Sequence, residues 1–159
     1  MLIFVAVINS TETSVLQAIA SLCNCHTRAS PLKCVVCGPK DVGKSTFCQR
    51  LCNELLQSDS VEEVAFLEAD CGQPAQGPPC FVSLSYCRCP RLVPPSLGTG
   101  RPDKSAFVGD TSAHSHPLLY LQSITKLLRE YAAKVDAGVS VAIPACPVAG
   151  TIASYVHFA

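Results

Sequence analysis

Apolar and polar residues fall in blocks along this chain, and the block lengths are those of strands and helices. Residues 1–8 are one apolar run, the length of a buried strand and too short to span a bilayer. Cys34-Val35-Val36-Cys37 is a second buried-strand run. From Lys44 onward, Phe47, Cys48, Leu51, Cys52, Leu55 and Leu56 recur on one helix face, and Gln49, Arg50, Asn53, Glu54 and Gln57 fall on the other. Ser58-Asp59-Ser60 breaks that helix, and Val64-Ala65-Phe66-Leu67 predicts a strand leading into Glu68-Ala69-Asp70. Strand, loop, helix and strand in this order predict a parallel pair joined by a right-handed crossover. The fold class is therefore α/β. Seven of the 12 prolines lie within 74–102, which excludes a long helix there and predicts a loop-rich excursion. A core-facing helix is predicted over 117–134, with Tyr120, Leu121, Ile124, Leu127, Leu128 and Tyr131 inward. Lys126, Arg129, Glu130 and Lys134 fall mostly outside. Beyond it, Asp136 is the single charge up to Ala159.

The length, 159 residues, suits one domain or part of one. With 48% apolar and 15% charged residues, the chain is not of the disordered class. Zero net charge argues against a polybasic nucleic-acid binder. The charge is unevenly placed, however. From Glu54 to Asp70 there are six acids and no base, whereas Arg88, Arg91, Arg101 and Lys104 face only Asp103 in the proline-rich stretch. Such a basic excursion suits an RNA backbone, or is scattered solvated charge on a loop. Eleven cysteines, an odd number, and a start without a positive n-region predict free thiols in a reducing compartment. Cys34/Cys37, Cys23/Cys25 and Cys87/Cys89 have pair spacings that zinc could use if four ligands converged. Cys34 and Cys37 on a buried strand, and Cys48 and Cys52 on an apolar helix face, instead read as small core residues. His114 and His116 read as loop residues ahead of a helix that starts with proline.

Chemistry enters between the first strand-helix pair. Gly38-Pro39-Lys40-Asp41-Val42-Gly43-Lys44-Ser45 fits the pattern of Gly, four residues, then Gly-Lys-Ser/Thr. Its glycines allow backbone N–H groups to approach phosphates closely, and the helix that follows adds its positive end. Lys44 would reach the β- and γ-phosphates and the Ser45 hydroxyl would bind Mg²⁺. The strand before and the amphipathic helix after are the context this motif requires. Asp70 stands at the C-terminal end of the next strand, where ligands collect in open α/β sheets. It could hold Mg²⁺ through water or accept a proton from an attacking hydroxyl. Glu68, two residues earlier, shares its face if the strand runs that far, or is a solvated strand-end group. No Asn-Lys-x-Asp run for a guanine base is present, which leaves a kinase or an ATPase.

Together, Gly38 to Thr46 and Phe66-Leu67-Glu68-Ala69-Asp70-Cys71-Gly72-Gln73 resemble the polynucleotide 5′-hydroxyl kinase family of nuclear RNA processing. The likeness is greater to its nucleolar, ribosomal-RNA branch than to its pre-mRNA cleavage-factor branch. Asp70, Gly72 and Gln73 are the discriminating element. Pro78 to Leu84 is similar to the family's following turn and strand. Phe107 to Ser112, with Pro117, Tyr120 and Leu121, is similar to its next strand and helix start.

The resemblance implies a P-loop NTPase-type parallel sheet with flanking helices, incomplete in this chain. It implies transfer of the ATP γ-phosphate to the 5′-hydroxyl of an RNA end, with ATP and Mg²⁺ as cofactors. Residues 38–46 would bind the nucleotide (Gly38, Pro39, Lys40, Asp41, Val42, Gly43, Lys44, Ser45 and Thr46). Lys44 and Asp70 would be the catalytic groups, Ser45 and Asp70 would hold Mg²⁺, and Gln73 would position metal or substrate. The implied partners are an RNA 5′-hydroxyl end and an RNA-processing protein complex, without a membrane; the implied location is the nucleus, in the nucleolus.

The expected organisation is an N-terminal segment, 1–32, a partial P-loop kinase domain, 33–134, and a divergent tail, 135–159. The family's Asn-x-x-Gly-Trp element and arginine-bearing lid are not found, and the chain has no Trp. A truncated product with an intact phosphate site and impaired catalysis, acting as an ATP-binding fragment or scaffold, is the alternative expectation. An unpaired sheet edge and poor solubility would accompany it.

Overall fold

The computed structural model describes residues 3–7, 33–37, 43–57, 61–92, 101–136, 145–146 and 154–157. Among these, the chain runs through strand β1 (Ile3–Val7), strand β2 (Lys33–Cys37), helix α1 (Lys44–Leu56) and strand β3 (Val64–Glu68). Strands β4 (Phe81–Cys87) and β5 (Lys104–Phe107), helix α2 (Pro117–Asp136), and strands β6 (Ala145–Cys146) and β7 (Ser154–His157) follow. The apolar runs and both amphipathic helices thus have structural counterparts at their expected places, while the breaker at 58–60 lies outside the described residues.

All seven described strands join one sheet, in the order β1-β2-β7-β3-β4-β5, with β6 beside β3. The α/β class is as expected, but the pairing is mixed. β1 pairs with β2, and β6 with β3, in parallel. β3, β4 and β5 form an antiparallel run. β2 and β3, expected to pair directly, are separated by β7, which is antiparallel to both. Two antiparallel steps leave β2 and β3 pointing the same way, so their C-terminal ends share one edge of the sheet. Residues of the 135–159 stretch therefore supply hydrogen bonds within the sheet itself.

β3 is buried along its whole length. Its alternate side chains serve two layers. Ala65 and Leu67 pack with Val82, Leu84 and Val108 against Tyr120, Leu127 and Tyr131 of α2. Val64, Phe66 and Glu68 belong to the other face, on the side of α1. That helix buries Phe47, Cys48, Leu51, Cys52 and Leu55, the stripe its periodicity predicts except for Leu56, which is half-buried. The α2 stripe is narrower than expected. Tyr120, Ser123, Leu127 and Tyr131 are buried, while Leu121 is 55% exposed because it falls a quarter turn beyond Tyr120, past the edge of the sheet contact.

Candidate active site at the carboxyl edge of the sheet

The edge that collects the ends of β2 and β3 also holds the start of α1. Gly43 stands before the helix at φ 85°, ψ 17°, a left-handed conformation that suits glycine. Its carbonyl accepts the Phe47 N–H at 2.8 Å, which closes the first helical turn. No side chain caps the helix, and the first turn contains no acidic residue. The positive end of the helix is thereby left uncompensated by any carboxylate of its own first turn. Lys44, only 5% exposed, is the first residue of that helix. Ser45 and Thr46 are exposed beside it. An anion with several oxygen acceptors fits this donor set. Residues 38–42 of the motif lie outside the described residues.

Asp70 lies two residues beyond the end of β3, half-buried. Its Oδ1 accepts the N–H of Gly72 at 2.8 Å and of Gln73 at 3.1 Å. The carboxylate thus folds its own loop into a tight turn. Among the described residues nothing donates to Oδ2. One carboxylate oxygen thus holds the loop through two amides. Gln73 is exposed at the tip of the turn.

Glu68 is not a solvated strand-end residue. It is 2% exposed, and its Oε2 accepts the Ala75 N–H at 2.9 Å while Oε1 faces the Asp70 N–H at 3.4 Å. Its burial is tolerated because loop amides occupy its oxygens. The spacing to Asp70 was visible in the sequence; the inward turn of the loop, which gives Glu68 this work, was not.

Gly72 has a steric reason. A Cβ there would meet the Thr111 carbonyl oxygen at 2.8 Å and Asp70 Oδ1 at 3.3 Å. The Asp70 loop and the loop between β5 and α2 therefore touch backbone to backbone. Cys80 links them again, its N–H bonding to the Cys71 carbonyl and its carbonyl accepting from Val108, both at 2.8 Å. Tyr120 supports the junction from α2 by donating its hydroxyl to the Ala69 carbonyl at 3.1 Å. Burial, aided by Cys71, Asp70 and Glu68, pushes the Tyr120 phenol well above its ordinary value, so it remains a donor. The second loop carries Asp110, whose carboxyl is held below its usual range by the Ser112 N–H and nearby hydroxyls. His114 and His116 are exposed on this loop, as expected.

The basic excursion turns out differently from an open RNA-facing surface. Arg88 pairs with the buried Glu63, Nε to Oε1 at 2.8 Å. Arg91 lies inward, its guanidinium 5.4 Å from the Phe66 ring centroid and Nη2 2.8 Å from Cys87 Sγ. Local composition shows the charges of this segment but not the buried carboxylate that pairs with Arg88, which stays 76% exposed, or the thiol and ring that draw Arg91 in. Among the described residues no cluster of three His, Cys, Asp or Glu side chains could hold a metal ion. Nor is any described helix long and apolar enough to cross a membrane.

Comparison with known proteins places the chain in a family. Residues 38–146 match the family described as mRNA cleavage and polyadenylation factor CLP1 P-loop. The polynucleotide 5′-hydroxyl-kinase NOL9 of Bos taurus is 34% identical over 118 residues, which cover 74% of this chain and 17% of the relative. The Arabidopsis thaliana NOL9 is 36% identical over 116 residues, 70% of this chain and 30% of the relative. The polynucleotide 5′-hydroxyl-kinase grc3 of Aspergillus niger is 35% identical over 135 residues, 76% of this chain and 16% of the relative. The chain thus spans less than a third of the length of these curated relatives. With the phosphate motif and the Asp70 loop both inside the matched stretch, the chain belongs to the CLP1 P-loop family, in the branch of the NOL9 and Grc3 polynucleotide 5′-hydroxyl-kinases.

Proposed function

We propose that this chain carries the nucleotide site of a polynucleotide 5′-hydroxyl kinase that moves the γ-phosphate of ATP to the 5′-hydroxyl of RNA in ribosomal-RNA processing. The supporting observation is the shared edge. The helix start bearing Lys44, Ser45 and Thr46, and the loop bearing Asp70, both leave the carboxyl ends of strands pointing the same way. Residues 38–46 would cradle the phosphates, with Lys44 countering the charge of the phosphoryl group in transit.

Ser45 and Asp70 would hold Mg²⁺, a hard ion that suits oxygen donors of this kind and would neutralise phosphate charge when bound. Asp70 Oδ2 orients the 5′-hydroxyl or takes its proton, while Oδ1 remains occupied by the Gly72 and Gln73 amides. Gln73, at the exposed tip of the same turn, positions the acceptor. A nuclear, nucleolar setting and association with an RNA-processing complex follow from this role.

Single-turnover transfer of labelled γ-phosphate to a 5′-hydroxyl oligoribonucleotide tests the proposal. Asp70→Asn keeps an oxygen for the two amides, so the loop should persist while the transfer rate falls about 10²–10⁴-fold. Lys44→Ala should abolish transfer and weaken ATP binding. ATP binding without transfer by the wild-type chain would favour the ATP-binding fragment or scaffold instead. The inward commitment of Arg91, and the pairing of Arg88 with Glu63, are the observations on that side.

A further inference from the structure

Arg91 connects the two halves of the site. Its backbone is clamped to α1: its N–H donates to Asn53 Oδ1 at 2.7 Å, and Asn53 Nδ2 donates to its carbonyl at 2.8 Å. Gln49, one turn earlier on α1, reaches the same carbonyl at 3.4 Å. Its side chain runs back across Phe66 to Gln76, in the loop that begins at Asp70. In the orientation that satisfies both ends of the amide, Gln76 Oε1 accepts from Arg91 Nη1 and Nη2 at 2.9 and 3.0 Å. Gln76 Nε2 then donates to Ser85 Oγ of β4 at 2.7 Å. Arg91 Nη2 also meets Cys87 Sγ, at the end of β4, at 2.8 Å.

We propose that Arg91 is a positioning residue, which fixes the Asp70–Cys80 loop relative to the helix that starts at Lys44 by gripping α1 with its backbone and Gln76 with its guanidinium fork. The inference rests on the kinase reading for its effect on rate. Its effect on the loop stands apart from that reading. Gln76 is half-buried, and its amide oxygen is taken up by the two Arg91 donors. The hydrogen bond with the Cys52 thiol, and after it the neighbouring guanidinium, draws the Cys87 thiol below its ordinary value. Lysine cannot substitute: it carries the charge but not the planar pair of donors that one amide oxygen accepts side by side.

The experiment is a mutant cycle on phosphate transfer by the full chain, with Arg91→Gln, Arg91→Lys, Gln76→Ala and the double variant Arg91→Gln with Gln76→Ala. Arg91→Gln and Arg91→Lys are both expected to lower kcat about 10- to 100-fold, with KM for RNA held within about twofold. The double variant should fall no further than the worse single one. A raised RNA KM at unchanged kcat, rescued by Arg91→Lys, would overturn the proposal and make Arg91 an RNA contact. Additive losses would overturn it as well.

Amide hydrogen exchange separates this idea from the kinase reading. Arg91→Gln should speed exchange at Gly72, Gln73 and Ala75 while Leu127 and Tyr131 of α2 keep their protection. If the wild-type chain transfers no phosphate, the kinase reading fails and exchange alone decides. Unchanged exchange at those three amides would then sink the positioning role.

Discussion

At the scale of single residues, the site depends on contacts too close for ordinary side chains. Gly72 sits against the Thr111 carbonyl, and that neighbour is backbone, unable to swing aside. Gly72→Ala is therefore expected to cost about 1–3 kcal/mol, as overpacking does elsewhere. Urea denaturation would show the loss, and transfer should fall along with it because the Asp70 turn must shift. A cost below about 0.5 kcal/mol would mean that the two loops part easily. Cys80, at φ 69°, accepts a left-handed backbone that a side chain makes unfavourable. Its two backbone bonds, to Cys71 and Val108, hold it there. The glycine motif and the Asp-x-Gly-Gln run were readable along the chain because each chemical need sits within a few neighbouring residues. The partners of Gly72 and Glu68 were not, since Thr111 reaches Gly72 only through the fold and Ala75 meets Glu68 only when the loop turns inward.

At the scale of elements, the end of the sheet opposite the site is tied by charge. Glu63, 5% exposed just before β3, accepts Lys134 Nζ of α2 at 2.7 Å and Arg88 Nε at 2.8 Å. The two partners differ in worth. Arg88 is 76% exposed, so water screens its pair, whereas Lys134 is 26% exposed and also lies 3.3 Å from the Tyr86 ring centroid. Lys134→Met should thus lower stability by about 1–2 kcal/mol. Arg88→Met should lower it by less than about 0.5 kcal/mol. Equal losses in chemical denaturation would contradict this ranking.

Tyr86 also makes the same end sensitive to alkali. Burial, then the carboxylates of Glu63, Asp103 and Glu130, raise its phenol to about 12. A raised value favours the neutral phenol in the folded state. Its contribution is complete below the unfolded value of 10 and is lost as pH rises through about 12. Between those limits wild type should lose more stability than Tyr86→Phe, compared by urea denaturation at each pH. Parallel loss in the two proteins would remove Tyr86 from the account.

At the scale of the whole molecule, β5 pairs with β4 and has no second strand beside it among the described residues. Lys104 and Ser105 are exposed, and Phe107 is 57% exposed with its ring 5.1 Å from that of Phe81. Leu118 and Leu121 of α2 add exposed apolar surface. An edge with open hydrogen-bonding groups and an exposed aromatic residue favours association, although Lys104, paired with Glu130 at 3.5 Å, works against it. Sedimentation velocity should show self-association rising with concentration, reduced by Phe107→Lys. A wild-type monomer throughout the range would refute the expectation of poor solubility.

The sequence by itself determined the α/β class, the helix and strand periods, and the family. These rest on local spacing: period two or 3.6 in apolar side chains, a glycine loop between strand and helix, and an aspartate ending the next strand. Tertiary structure decided the rest. It put β7 between β2 and β3, buried Glu68 as a ligand of loop amides, and turned Arg91 from a candidate surface charge into a bridge between α1 and the Asp70 loop. Each of these depends on a partner far along the chain. A buried charge declares itself only when the groups that satisfy it are brought together, and local hydropathy holds no record of which groups those are.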